Sequence, residues 1–111
     1  MMFVTGPLFS GKRTFVKNRF GWTEEELSQN AVLDAQLLAA SAEDPETLAA
    51  TLAEYPVVIS VEIGGGVVPA DKELREAREK AGRLACLLAE RANTVVRLCC
   101  GLPEILKGEL P

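Results

Sequence analysis

The chain has 111 residues, of which 48% are apolar and 25% charged, and its net charge is −4 at pH 7. These values are typical of a single globular domain spanning residues 1–111 and exclude a disordered chain. The acidic balance argues against nucleic acid as a partner, and the absence of histidine excludes histidine-based acid–base catalysis, metal ligation and covalent intermediates.

The first quarter of the chain predicts a strand and two helices. An apolar run, Met1–Thr5, is short enough for a buried strand, and Lys12–Phe20 is expected to form a helix that Gly21 ends. Thr23 and Glu26 have the spacing of a capping box for a short helix that fades by Asn30.

The middle of the chain continues this alternation. Ala31–Leu33 predicts a second short strand that ends at Asp34. The pair Asp44 and Pro45 is a helix start, and the helix is expected to break at Pro56. Its inward-facing residues are expected to be Leu48, Ala49 and Leu52.

The second half predicts two strands separated by the longest helix. Val57–Val61 is almost entirely β-branched and is expected to be a central strand, followed by a turn at residues 64–66 and by Pro69. Ala70–Ala92 predicts the helix, and Thr94–Cys100 predicts a last buried strand, ended by Gly101.

The apolar residues expected to face the core from the helix are Leu74, Ala77, Ala81, Leu84 and Leu88. The pairs Glu76–Lys80 and Glu79–Arg83 are expected on its outer face. The predicted class is α/β with a mostly parallel sheet.

Cysteine usage and hydropathy bear on the compartment. Three cysteines without a CxxC pair, Cys86, Cys99 and Cys100, indicate reduced thiols in a cytoplasmic protein. Cys99 and Cys100 are expected to be small buried strand residues rather than reactive thiols. No run approaches the roughly eighteen apolar residues that cross a bilayer, so no membrane partner is expected.

The stretch GPLFSGKRT, residues 6–14, has the spacing of a phosphate-binding loop. Gly6, Gly11 and Lys12 follow a strand and open a helix, where freed backbone N–H groups point at an anion and the lysine reaches the outer phosphates. The expected ligand is ATP or GTP. The candidate nucleotide-binding residues are Gly6, Phe9, Ser10, Gly11, Lys12, Arg13 and Thr14. The alternative is a plain glycine turn with an exposed lysine.

One position of this loop departs from the usual chemistry. A hydroxyl normally follows the lysine and binds magnesium, but here Arg13 follows it. A guanidinium cannot coordinate a cation, and Thr14, about 100° further around the helix, is expected to point away from the phosphates. We therefore expect Arg13 to contact phosphate oxygens, and a role for magnesium is doubtful.

Two acidic residues are candidate catalytic residues together with Lys12. Asp34 follows the second strand, where a carboxylate commonly completes such a site; the alternative is a helix cap before residues 35–42. Glu62 ends the central strand, where open α/β sheets place their ligand crevice. Its alternative is a salt bridge to a nearby arginine.

Three stretches carry a resemblance to a known family. VVISVEIGGGVVP resembles the S-N-E-V-G-x-G-x-V-P signature of the bifunctional adenosylcobinamide kinase / adenosylcobinamide-phosphate guanylyltransferases of cobalamin biosynthesis. REAREKAGRLACLLAERANTVVRLCCGLPEILKG is similar to the family's long helix, a strand and A-G-x-P-x-x-x-K. FVTGPLFSGKRTF is similar to its loop V-T-G-G-x-R-S-G-K-S. The chain is thus identified as a shortened, divergent member.

The resemblance implies a three-layer, RecA-like P-loop fold and a homo-oligomeric assembly. It also implies phosphorylation of the cobinamide aminopropanol hydroxyl, followed by guanylyl transfer through a covalent histidine. By matching position, Gly6, Ser10, Gly11 and Lys12 would cradle phosphates. Glu62 would lie beside the nucleotide, and Asp34 in AVLDAQLLA is similar to the family's L-L-D-C-L-T segment.

The departures from the family's pattern concern its polar groups. Arg13 replaces the loop serine, Val61 replaces the asparagine of S-N-E, and Ala85 with Cys86 replaces an Asn-Gln pair. About ten residues separate the first helix from Ala31, where the longer family carries its nucleotidylated histidine. Guanylyl transfer is therefore expected to be absent.

Three functions remain open at this point. The first is a minimal kinase acting on cobinamide or a related alcohol, with Asp34 or Glu62 positioning the hydroxyl or holding a metal. The second is a non-catalytic nucleotide- or anion-binding module with a regulatory role. The third is a purely structural relative that assembles with itself or a partner.

Overall fold

The computed structural model of the chain describes residues 1–62 and 70–111. Strands and helices alternate along the described residues. The strands are β1 Met2–Gly6, β2 Ala31–Val32, β3 Val57–Val61, β4 Thr94–Cys99 and β5 Leu102–Lys107. The helices are α1 Lys12–Phe20, α2 Glu24–Asn30, α3 Ala35–Ala39, α4 Pro45–Leu52 and α5 Lys72–Arg91. The turn expected at residues 64–66 and Pro69 lie outside the described residues.

The five strands form one sheet in the order β2-β3-β1-β4-β5. The first four are parallel, and β5 pairs antiparallel with β4. The carboxyl ends of β1 to β4 therefore share one edge of the sheet, which is where an open α/β sheet binds its ligand. The prediction of a mostly parallel α/β sheet is confirmed.

Helices cover both faces of this sheet because strand side chains alternate between the faces. Along β1, Phe3 packs with α3, α4 and α5, whereas Met2 and Val4 pack with α1 and α2. Each face has its own buried cluster, so the molecule has three layers. The expectation of a three-layer P-loop fold is confirmed.

Local signals explain the helix ends. Gly21 adopts φ 68° at the C-cap of α1, a conformation that favours glycine. The predicted capping box is present, since Glu26 N–H donates to Thr23 Oγ1 and Thr23 N–H donates to Glu26 Oε1, both at 3.2 Å. Asp44 and Asp71 cap α4 and α5 in the same way, each accepting from a backbone N–H two residues on.

Strand β5 is the main correction to the predicted elements, because Thr94–Cys100 is not the last strand. Cys100 and Gly101 have φ 53° and 77° and form a two-residue hairpin turn of the type that needs positive φ at both positions. All six residues of β5 are exposed, so the strand lacks the apolar alternation that predicts one. Cys99 and Cys100 are also exposed, and the expectation that they are buried is wrong.

Helix α5 follows the predicted apolar stripe except at its first turn. Ala81, Leu84 and Leu88 are buried, but Leu74 is 59% exposed because it lies beyond the reach of the core cluster. The predicted Glu79–Arg83 pair is wrong, because Arg83 instead bonds Glu46 of α4 at 3.0 Å. No helix among the described residues is long and apolar enough to cross a membrane.

Candidate functional site

The loop that joins β1 to α1 needs glycine at both of its ends. Gly6 has φ 150°, and a Cβ there would lie 2.5 Å from Leu98 O and 2.8 Å from Ser10 Oγ. Gly11 has φ 89°, in the left-handed region that other residues rarely adopt. The two glycines therefore fix a backbone path that a side chain would prevent.

The β4–β5 hairpin supports this loop from behind. Gly101 N–H donates to Ser10 O at 2.9 Å, and a Cβ added to Gly11 would lie 3.4 Å from Gly101 Cα. Within the loop, Ser10 N–H donates to Pro7 O at 3.3 Å. The loop is thus held by backbone contacts to a turn that the sequence did not predict.

Lys12 is directed into the loop and is 8% exposed. Its Nζ donates to Pro7 O at 2.7 Å, to Gly6 O at 3.3 Å and to Ser10 Oγ at 3.4 Å. Burial lowers the pKa of Lys12, while the charges of Asp34 and Glu62 act in the opposite direction. The ammonium therefore lies within the loop on neutral acceptors, close enough to both carboxylates to interact with them.

A cavity of about 500 Å³ opens beside the loop, a volume typical of small-molecule sites. Its walls come from the loop and from the carboxyl ends of β2 and β3. The lining residues are Leu8, Phe9, Ser10, Gly11, Lys12, Arg13, Thr14, Leu33, Asp34, Ile59 and Val61. Every predicted loop residue except Gly6 thus lines one cavity.

Three side chains of the cavity rim are noteworthy. Arg13 and Thr14 are exposed and line the cavity. Phe9 is 94% exposed with φ 61°, an uncommon conformation for an aromatic residue. Its conformation accords with the tight path between Gly6 and Gly11.

Asp34 lies across the cavity from the loop, at the end of β2. It occupies the N-cap position of α3 with φ 53°, but its side chain makes no capping hydrogen bond. The helix-cap alternative is therefore right about the position of Asp34, but the carboxylate does not cap the helix. Asp34 lines the cavity, and its charge acts on Lys12.

Glu62 follows β3 and forms a two-point ion pair. Arg97 Nε donates to Glu62 Oε1 at 2.7 Å, and Arg97 Nη2 donates to Oε2 at 2.9 Å. This hydrogen-bonded arginine lowers the pKa of Glu62, and the charge of Lys12 adds to the effect. The salt-bridge alternative for Glu62 is thus present in the structure, with an arginine of β4 as its partner.

Sequence reasoning missed Arg97. The available signal was a single charged residue inside the otherwise uncharged strand Thr94–Cys99, a position that needs a partner at the sheet edge. Glu62 provides it.

The residues present do not fit magnesium. P-loop kinases use the hydroxyl after the loop lysine and nearby carboxylates as ligands. Here Arg13 occupies the first position, and Arg97 holds both oxygens of Glu62. Residues 1–62 and 70–111 contain no group of three or more acidic or cysteine side chains placed to bind a metal ion.

Comparison with known proteins identifies the family. The family model of cobinamide kinase / cobinamide phosphate guanyltransferase matches residues 20–106, more than three quarters of the chain. No curated protein sequence matches significantly. The chain therefore belongs to this family of cobalamin biosynthesis. The matched range begins after Thr14, so the assignment of the phosphate-binding loop depends on its own motif and geometry.

Proposed function

We propose that the chain is a nucleotide-dependent kinase that binds ATP or GTP in the loop Gly6–Thr14 and phosphorylates cobinamide or a related alcohol. The observation that carries this proposal is the cavity, in which Lys12, Arg13 and the loop backbone face Asp34 across a space of about 500 Å³. Family membership suggests the acceptor class, since the family is that of cobinamide kinases and cobinamide phosphate guanyltransferases.

The chemistry assigned to each group follows from its place. Loop N–H groups and the ammonium of Lys12 bind the outer phosphates, and the guanidinium of Arg13 adds positive charge where the transferred group becomes more negative. The acceptor oxygen forms a bond to the terminal phosphorus as the bond to the bridging oxygen breaks and the nucleoside diphosphate leaves. Asp34 positions the hydroxyl and takes its proton.

Nucleotide binding is tested by thermal unfolding. A triphosphate at a hundred times its dissociation constant stabilises the fold by about 2.7 kcal/mol, and Lys12→Ala removes most of this gain. Lys17→Ala is the matched control, because Lys17 lies on the same helix but pairs with Glu24. Identical unfolding of the wild type with and without millimolar ATP and GTP contradicts the proposal and supports a purely structural relative.

Phosphoryl transfer is tested with terminally labelled nucleotide and cobinamide. The label is expected on the acceptor, and Asp34→Asn is expected to reduce the rate by a factor on the order of 10²–10⁴. Asp44→Asn is the control, since Asp44 caps α4 and asparagine caps as well.

Guanylyl transfer is proposed to be absent because the family's histidine intermediate cannot form in a sequence without histidine. After incubation with GTP labelled in its guanosine part, the washed chain is expected to carry no label. Stoichiometric labelling of any residue contradicts this.

A non-catalytic nucleotide- or anion-binding module is the second candidate. The Glu62–Arg97 pair favours this candidate. Arg97 engages both carboxylate oxygens of Glu62, the residue that, by the resemblance to the family, would lie beside the nucleotide. Under this alternative, nucleotide stabilises the fold but no label reaches cobinamide.

We also propose that the chain forms homo-oligomers. Strand β5 is an exposed sheet edge that carries Leu102, Ile105 and Leu106, and a 111-residue domain gains from burying such surface. Leu74 offers further apolar surface on α5. Light scattering at micromolar concentration is expected to give a multiple of 12.0 kDa; the monomer mass contradicts the proposal.

A further inference from the structure

We propose that Phe9 is the platform on which the base of the bound triphosphate stacks, so that the loop recognises the nucleoside as well as the phosphates. This rests on the proposed nucleotide-binding function and deepens it, because it names the part of the ligand that an apolar side chain of the loop takes. Adenine and guanine are expected to stack alike, since every base has an aromatic face.

The backbone conformation at Phe9 does not require a phenylalanine. Its φ of 61° lies in the left-handed region, where a bulky residue is an outlier. The loop path between Gly6 and Gly11 imposes this conformation, and glycine would adopt it without strain. The identity of the side chain therefore needs an explanation other than the shape of the loop.

The packing of the fold does not use the ring of Phe9 either. The residue is 94% exposed, and within residues 1–62 and 70–111 it belongs to neither buried cluster. The three other phenylalanines of the chain, Phe3, Phe15 and Phe20, each pack in one of the two clusters. An exposed apolar residue is ordinary on a protein surface, but Phe9 lines the cavity beside the phosphate-binding loop. A ligand in that cavity would cover the ring.

The cavity lining has a polar part and an apolar part. Residues 10–14 supply hydroxyl groups, loop backbone and the cations of Lys12 and Arg13. Apart from Asp34, the other lining residues are apolar: Leu8, Phe9, Leu33, Ile59 and Val61. A nucleoside triphosphate has the same division, since its phosphates are anionic and its base is flat with apolar faces. With the phosphates on the polar part, the apolar part is left for the base.

Within the apolar part, Phe9 is the aromatic residue among the described lining residues. Leu8 precedes it and is also exposed, so the two extend one apolar surface, whereas Ile59 is almost fully buried. Phe9 is three residues before Lys12 in the loop, and Asp34, which is proposed to hold the acceptor hydroxyl, lies across the cavity. The ring is therefore assigned to the nucleotide and not to the acceptor.

The first test compares ligands with and without a base. Dissociation constants of ATP, GTP and inorganic tripolyphosphate are measured by calorimetry in EDTA and in Mg²⁺. Phe9→Ala is expected to bind ATP and GTP ~10-fold more weakly than the wild type and tripolyphosphate within about 2-fold. Tyr55→Ala is the control and is expected to match the wild type. Tyr55 is also an exposed aromatic residue, but it precedes β3 at the amino edge of the sheet, away from the loop.

The second test separates stacking from burial of any apolar group. Phe9→Trp keeps a flat ring and is expected to hold ATP within about 2-fold of the wild type, whereas Phe9→Leu is expected to bind it ~5-fold more weakly. Circular dichroism verifies folding. Phe9→Gly suits the positive φ and carries the same expectations as Phe9→Ala if the alanine variant does not fold.

The outcomes separate the role of Phe9 from the proposed function. If folded Phe9→Ala binds ATP and GTP as the wild type does, or loses tripolyphosphate to the same extent, the stacking role is overturned and nucleotide binding stands. A loss of cobinamide binding without a loss of nucleotide binding also overturns it, because the ring then contacts the acceptor. If the wild type binds none of the three phosphate compounds, the proposed function fails and the role of Phe9 fails with it.

Discussion

The two sides of the carboxyl edge of the sheet are built in different ways. The loop side, residues 6–14, depends on backbone: positive φ at Gly6 and Gly11, and the hydrogen bond from Gly101 N–H to Ser10 O. The acidic side consists of two carboxylates in different situations: Arg97 binds Glu62 through both oxygens, whereas the side chain of Asp34 makes no capping hydrogen bond.

The backbone path of the loop and the charged side chains around it therefore depend on different parts of the structure. The path of the loop is tied to the packing of β1, β4 and the hairpin, so changing it disturbs the fold. The charges around the loop can change with little effect on that packing, because Arg13, Asp34 and Glu62 are exposed. The shape of the loop can therefore be kept while the charged groups around it change.

The largest effect is expected from Gly6→Ala, which tests whether the loop is fixed by backbone. The added Cβ meets Leu98 O at 2.5 Å in a strained backbone conformation, so we expect a loss of about 2–4 kcal/mol in unfolding free energy by urea denaturation. Gly82→Ala is the contrast: nothing lies within 4 Å and the residue is helical, so a gain of about 0.5–1 kcal/mol is expected. Equal stability of Gly6→Ala and the wild type contradicts the account of the loop.

A smaller effect is expected from Arg13→Ser, which restores the usual residue after the loop lysine. Serine offers magnesium a ligand and removes a repelling charge, so triphosphate affinity is expected to rise ~10-fold, about 1.4 kcal/mol, when Mg²⁺ replaces EDTA. Isothermal titration calorimetry measures it. Arg19→Ser, on the same helix and outside the cavity lining, is the control and should show no such dependence.

The smallest effect is expected from the pH dependence of the Glu62–Arg97 pair. Because Arg97 lowers the pKa of Glu62 below its ordinary value of 4.5, the stabilisation is fully present above that value and is lost as pH falls through the lower folded pKa. The pair is partly exposed, so the loss is below about 1 kcal/mol. Unfolding free energies between pH 6 and about pH 2.5 should show this acid-dependent loss in the wild type and not in Glu62→Gln. Parallel curves for the two proteins contradict it.

The sequence was sufficient where local chemistry determines structure. Lys12–Phe20, its end at Gly21 and the Thr23–Glu26 capping box follow from residues close together in the chain. The loop motif likewise placed Lys12 and Arg13 at one site.

The sequence was insufficient where distant segments meet. Nothing local shows that Gly101 lies against Ser10, or that Arg97 of β4 reaches Glu62 across β1. Strand β5 was missed because an exposed edge strand with Pro103 carries no apolar alternation.

The central claim is that the loop binds a triphosphate with the guanidinium of Arg13 in place of a metal ion. The most direct measurement is the dissociation constant of ATP and of GTP for the wild type, determined by calorimetry in EDTA and again in Mg²⁺. The account predicts binding in EDTA with an affinity within about 2-fold of that in Mg²⁺. Binding that collapses in EDTA, or is absent under both conditions, contradicts it.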